Sequence, residues 1–218
     1  VLSGVTKRFP TLNFAFLEGG VAWACELYAG LVGHCGKRNF KNMEKYDPHN
    51  LDPEKLADLF AEYGQGLVTE RPDPNDPNFV RWPGGWHQLD DNMIAHELDE
   101  LGIEKSEDLR SLFEPNFYFG CEADDPFVSM GFDKRLNPFE ARLKAMFSSD
   151  IGHWDVPDMT EVLAEAYELI EKDLLDEESF RDFVFVYPSM LHAKMNPNFF
   201  KGTVVEGEVA NELKNQSK

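Results

Sequence analysis

Three short apolar runs stand out in this chain, with helix-like segments between and after them. Leu12–Leu17 (LNFAFL) is apolar almost throughout, which predicts a strand buried on both faces of a parallel sheet. Asn116–Cys121 (NFYFGC), rich in aromatic residues, and Ala145–Ser148 are the second and third predicted strands. From Val21 to about Val32, small and apolar residues recur at helical spacing. Strands that alternate with helices predict an α/β fold with parallel strands.

Residues 36–115 interrupt this alternation with turns rich in proline and glycine. We interpret them as a long helical insertion between the first and second strand-helix units. Asp52 is placed to cap one helix that starts at Pro53, and a second helix is predicted from about Asp91 to Leu101.

The segment after the third strand predicts two further helices. Apolar residues from Met159 to Ile170 share one helical stripe, just after a Pro-Asp pair. Asp176 is placed to cap the next helix, DEESFRDFVF, whose acidic first turn complements the helix dipole. The last residues, 206–218, are a polar tail.

Composition places the chain among globular proteins. It has 218 residues, of which 42% are hydrophobic and 13% aromatic, enough for one sizeable core. Its apolar runs are all far shorter than a membrane span, and its N-terminus lacks the pattern of a signal peptide. These features predict a cytoplasmic protein with no membrane partner.

The charge of the chain argues against nucleic acid as a partner. The formal net charge is -19, and such a field repels phosphate backbones. A well-solvated surface explains an acidic composition without any special ligand, and cation binding is compatible with it.

Acidic residues follow each of the three predicted strands. Asp150 comes after the third strand, with His153 three residues further on; Glu18 follows the first strand and Glu122 the second. Barrel enzymes place catalytic and metal-binding groups at the C-terminal ends of their strands. A carboxylate there can both hold a cation and accept a proton, so Asp150 is the first candidate for chemistry.

Each of these candidates also has a purely structural interpretation. Asp150, after two serines and before a glycine, suits a turn. Glu18 could instead accept hydrogen bonds from amides at the start of the next helix. His153 beside Trp154 could be a packed loop residue, and Glu122 could be one member of a solvated acidic cluster.

Three blocks of the sequence, Gly4–Gly20, Phe117–Asp125 and Met146–Phe183, resemble the amidohydrolase-related family. This family contains metal-dependent hydrolases and decarboxylases, such as aminocarboxymuconate semialdehyde decarboxylase. The resemblance implies that residues 1–218 are a single partial domain, the C-terminal portion of a TIM barrel, with the insertion over one barrel mouth.

The same resemblance implies a function. It suggests hydrolysis or non-oxidative decarboxylation of a small organic acid or amide, with a divalent metal, zinc in the parent family. Asp150 would be a metal ligand or general base, and Glu18 a metal ligand or substrate contact. His153 and Glu122 would bind the small-molecule substrate.

The sequence departs from the family at its metal ligands, because it contains no His-x-His pair. Three hypotheses therefore stay open. The chain carries part of a working metal site; it is a non-catalytic, truncated barrel that binds no metal and self-associates as a homo-oligomer; or a companion subunit completes the site. Three parallel strands with two unpaired edges favour association.

Overall fold

A computed structural model describes residues 3–38, 42, 50–64, 70–76 and 101–216. The chain divides into two compact units, formed by Val1–Gly33 with Ile103–Lys218 and by His34–Gly102. The predicted helix Asp91–Leu101 falls almost wholly outside the described residues. Within the described ranges, no helix combines the length and apolar character that a membrane crossing requires.

The first unit contains a three-stranded parallel sheet. Its strands are β1 (Phe14–Phe16), β2 (Phe117–Cys121) and β3 (Lys144–Phe147), in the order β1-β2-β3. Phe119 of β2 stands opposite Phe16 on one side and Ala145 on the other. The predicted α/β class and the three predicted parallel strands are confirmed. The described residues form an open sheet.

The outer strand β1 is much less buried than the central strand β2. Every residue of β2 is buried, and the ring of Phe119 stacks on Phe16 with centroids 5.7 Å apart. Ala15 and Phe16 of β1 are exposed. The prediction that the first strand is buried on both faces is therefore wrong. β1 has a hydrogen-bonded neighbour on one side only among the described strands, so less of its surface is covered.

Helices connect and flank these strands. A long helix, α2 (Ala22–Arg38), confirms the helix predicted after the first strand. Ala24 and Tyr28 in its first turns are buried, as is Val21 just before the helix. The Tyr28 hydroxyl donates a hydrogen bond to the Pro138 carbonyl at 3.0 Å. The short α-helices described before β3 in this unit are α1 (Val5–Arg8), α4 (Leu109–Phe113) and α5 (Val128–Phe132).

The C-terminal segment is helical and covers β3. It consists of α6 (Val162–Glu171), α7 (Glu177–Arg181), a π-helical turn (Asp182–Val186), α8 (Tyr187–Ala193) and α9 (Glu206–Gln216). Asp176 caps α7, as predicted, by accepting a hydrogen bond from the Ser179 amide at 2.7 Å. Phe183 of the π-turn packs edge-on against Phe147 of β3. The polar C-terminal residues thus carry α9, which buries Val209 against α8.

The second unit contains α3 (Pro53–Tyr63). Asp52 caps this helix as predicted, because its carboxylate accepts a hydrogen bond from the Lys55 amide at 3.1 Å. Arg71 pairs with Glu54 and Asp58 on the same helix, at 2.6 and 2.8 Å.

Candidate metal centre

Glu18 lies two residues beyond the end of β1, in a turn with an unusual backbone. Its φ angle is 61°, in the left-handed region that residues with side chains rarely adopt. Gly20 follows with φ 63° and donates its amide to the Gly120 carbonyl of β2 at 3.1 Å. The hydrogen bond ties the turn to the central strand and holds the Glu18 side chain, which is exposed, at the C-terminal edge of the sheet.

Asp150 occupies the matching place beyond β3. The Ser148 amide donates to the Cys121 carbonyl at 2.8 Å, which extends the β2-β3 pairing past the strand itself. Asp150 then adopts a φ of 50°, also left-handed. His153 closes the turn, since its amide donates to the Asp150 carbonyl at 3.2 Å and its Nδ1 lies 2.9 Å from Asp150 Oδ2.

These two turns bring three side chains together. Glu18, Asp150 and His153 each offer one ligand atom, and the three atoms lie within 4.8 Å of one another. Parallel strands end at the same edge of a sheet, which is why groups from β1 and β3 meet across the end of β2. Left-handed backbone at a non-glycine residue costs about 1–3 kcal/mol and is concentrated at functional sites. Glu18 and Asp150 are two of the five described non-glycine residues with this backbone, the others being Phe139, Glu140 and Asp173.

The donor set suits a divalent cation. Two carboxylates and one imidazole are ligands that zinc accepts, and oxygen-rich sets also suit manganese or magnesium. The side chain of Asp150 is 26% exposed and that of His153 55%, so the group is open to solvent on one side. Three ligands with an open position are the arrangement of catalytic zinc sites.

No family model, curated protein or solved structure matches this chain. The assignment of the site therefore depends on its own geometry.

The acidic cluster after β2 is arranged differently. Asp125 accepts a hydrogen bond from the Phe127 amide at 2.9 Å, which is turn chemistry. Its other oxygen fills the space where a Cβ on Gly20 would point, 3.0 Å away. Glu122 is exposed and lies outside the group that Glu18, Asp150 and His153 form among the described residues. A contribution of Glu122 to substrate binding stays a prediction.

Gly120 explains how the three strand ends come so close. A Cβ at this position would lie 2.7 Å from Ser148 Oγ and 3.2 Å from Leu17 Cα. Cβ atoms essentially never come as close as 2.7 Å to another heavy atom. Because Gly120 has no side chain, the turns after β1 and β3 can approach each other.

Sequence reasoning missed a second group of charged residues, at the other end of β3. Arg142 and Lys144 stand at the start of this strand and line a cavity that also contains Arg110 and Lys134. The sequence contains one signal for this group, the two cations Arg142 and Lys144 at alternate positions just before an apolar run. Such a pair is notable in a chain where acidic residues outnumber basic ones 40 to 21.

Proposed function

We propose that this protein is a metal-dependent hydrolase or non-oxidative decarboxylase of the amidohydrolase type, acting on a small organic acid or amide. Its three-stranded sheet would be the C-terminal portion of a TIM barrel. The proposal rests on one observation, the convergence of Glu18, Asp150 and His153 within 4.8 Å at the C-terminal edge of the sheet. The sequence resemblance described above supports the same class.

Glu18, Asp150 and His153 would hold the cation, with zinc as the first candidate. Neighbouring ligands of one such ion lie roughly 3–3.5 Å apart, because each bond is about 2.1 Å long. The 2.9 Å between His153 Nδ1 and Asp150 Oδ2 is near that range and also suits a hydrogen bond. When bound, the cation supplies Lewis-acid polarisation of a carbonyl or carboxylate and activation of water.

The side chains themselves contribute orientation and proton transfer. Asp150 holds the His153 ring by its Nδ1 atom, so Nε2 is the atom of this ring that would bind the cation. Glu18, exposed at the rim of the site, is placed to accept a proton or to contact a polar group of the substrate. His153 is mostly exposed on the same side, so a substrate can reach all three groups from solvent.

The first experiment measures bound metal by elemental mass spectrometry, on protein purified without chelators or a histidine tag. We expect about one divalent ion per chain, lost in Asp150→Asn. Glu122→Gln is the matched control, because it neutralises a carboxylate at the same sheet edge but outside the group. The absence of metal in the wild type after reconstitution with zinc or manganese would refute the site.

The second experiment separates the two reactions. The metal-loaded protein is assayed for amide hydrolysis and for release of carbon dioxide from aromatic carboxylic acids. Activity in either assay that disappears in Asp150→Asn supports an enzyme and identifies the reaction. A metal-loaded protein that is inactive on both substrate classes would leave only a binding site and overturn the proposed catalysis.

A second candidate function is a non-catalytic domain that self-associates. It is favoured by the exposed apolar residues next to Glu18, Asp150 and His153. Leu17 and Ile151, adjacent to Glu18 and Asp150, expose 64% and 49% of their surface, and Trp154 exposes 92%. Exposed apolar residues grouped at one edge mark interaction surfaces. Light scattering after size exclusion would show a metal-free oligomer that Trp154→Gln dissociates. A monomer at all concentrations would contradict this alternative.

A further inference from the structure

A cavity of about 300 Å³ lies at the N-terminal end of β3, at the opposite end of that strand from the candidate metal centre. Its charged lining consists of four cations and two carboxylates, namely Arg110, Lys134, Arg142, Lys144, Glu114 and Glu140. The balance of charge is the reverse of that of the whole chain, whose net charge is -19. A local excess of positive charge in a strongly acidic protein attracts anions.

The two arginines are held in place by the surrounding helices. Arg110 pairs with Glu114 at 2.8 Å and also donates to the Phe139 carbonyl at 3.1 Å. Arg142 contacts Ser179 and Asp182 through Nη2, at 3.1 and 3.3 Å. Both guanidinium groups are therefore pre-positioned, which lowers the entropic cost of binding a ligand.

Both oxygens of Glu114 already accept hydrogen bonds from the arginines of the lining. One of its oxygens accepts from Arg110, and the other accepts from the backbone amide of Arg142 at 2.8 Å. Lys144 donates to the backbone carbonyls of Glu114 and Pro115, so it does not use the carboxylate either. Glu114 thus offsets the charge of Arg110 and Asp182 that of Arg142, whereas Lys134 and Lys144 form no ion pair with a described residue.

Two donors in the cavity lining have no partner in the described part of the chain. The Nε atom of Arg142 is buried and unpaired, which costs about 1–3 kcal/mol. Lys134 is exposed and makes no hydrogen bond or ion pair with any described residue. Burial also lowers the pKa of Lys144 to about 7, and a nearby anion would oppose that shift.

We propose that this cavity is a binding site for a small dianion, either a phosphate-type tetrahedral oxyanion or a dicarboxylate. Counting Asp182, which pairs with Arg142, four cations face three carboxylates, and this excess of positive charge attracts a dianion more strongly than a monoanion. Arginine forks and lysine ammonium groups are the side chains that recognise both kinds of anion. The volume of about 300 Å³ is at the low end of small-molecule pockets. The site is independent of the metal centre.

Isothermal titration calorimetry tests the proposal with sulfate, succinate and acetate, each at the same ionic strength set with sodium chloride. Sulfate stays a dianion across neutral pH and stands in for a phosphate group. We expect saturable binding of sulfate or succinate and much weaker binding of acetate. Preference for sulfate assigns a tetrahedral oxyanion, and preference for succinate a dicarboxylate.

Lys134→Gln is the informative variant, because Lys134 is exposed and its loss leaves the fold intact. We expect at least a tenfold loss of dianion affinity in this variant. Lys172→Gln is the matched control, since Lys172 is exposed, pairs with Glu168 and does not line the cavity. The proposal is overturned if neither dianion binds saturably, if acetate binds as tightly as succinate, or if Lys134→Gln binds like the wild type.

Discussion

His153 Nδ1 lies 2.9 Å from Asp150 Oδ2, within a turn in which the His153 amide also donates to the Asp150 carbonyl. The aspartate thus contacts the His153 amide through its carbonyl and the imidazole through its carboxylate. A ring held by a carboxylate at one nitrogen has a defined orientation, and its other nitrogen is available to a metal or substrate.

This relationship predicts the effect of removing the imidazole. We expect His153→Ala to weaken zinc binding by more than roughly 10- to 100-fold, the loss typical of removing a group that only orients a ligand. Competition with a chromogenic chelator measures the affinity. The half-buried residue His192, which stacks on Phe199 instead, provides the control variant His192→Ala. Equal zinc affinity in His153→Ala and the wild type would exclude His153 from the site.

Gly120 is predicted to be essential for the approach of the strand ends. We expect Gly120→Ala to destabilise the fold by about 1–3 kcal/mol, because the new Cβ would lie 2.7 Å from Ser148 Oγ. Gly30→Ala is the control: a Cβ there meets nothing within 4 Å, so this helical substitution should be neutral or stabilising. Urea unfolding measures both. A Gly120→Ala variant as stable as Gly30→Ala would contradict the packing described here.

Lys144 makes the stability of the fold depend on pH. Burial is the main cause that lowers its pKa from 10.5 to about 7, and repulsion from the charge of Lys194 is the second cause. Between these pH values the unfolded chain binds more protons than the folded one, so the free energy of unfolding rises with pH. The slope is at most about 1.4 kcal/mol per pH unit for one proton.

Replacing the lysine tests this dependence. We expect Lys144→Met to flatten the rise in the free energy of unfolding between pH 7 and the ordinary lysine pKa, in urea titrations at several pH values. Lys201→Met is the comparison, because Lys201 is exposed. A slope that persists unchanged in Lys144→Met would assign it to other groups.

Asp176 is predicted to stabilise α7 through its cap. Asp176→Ala should cost about 1 kcal/mol, whereas Asp176→Asn, which keeps an acceptor for the Ser179 amide, should cost less. Hydrogen bonds from Ser179 lower the pKa of Asp176, so the carboxylate stabilises the fold above the ordinary aspartate pKa of 3.8 and loses this effect as the pH falls below it. Thermal unfolding of the wild type and both variants at pH 3 and pH 7 measures these losses of stability. A loss in Asp176→Ala that is the same at the two pH values would contradict the capping role of the carboxylate.

Local features were predictable from the sequence because they depend on residues that are neighbours along the chain. The aromatic run of β2 and the caps at Asp52 and Asp176 are encoded within a few positions, and the structure has them where they were predicted. Burial of β1 was predicted wrongly, since an apolar run does not reveal whether its strand lies at the centre or at an edge of the sheet.

The sequence by itself determined the α/β class, the three parallel strands and the presence of acidic residues after each of them. Only the tertiary structure decided which of those residues meet. Glu18 and Asp150 are far apart along the chain, and the strand order with the small residue at Gly120 brings them together while Glu122 stays outside. The cation-lined cavity likewise depends on packing of α4 and α8 beside the start of β3. Contacts between distant segments depend on strand order and packing, and a local sequence pattern contains neither.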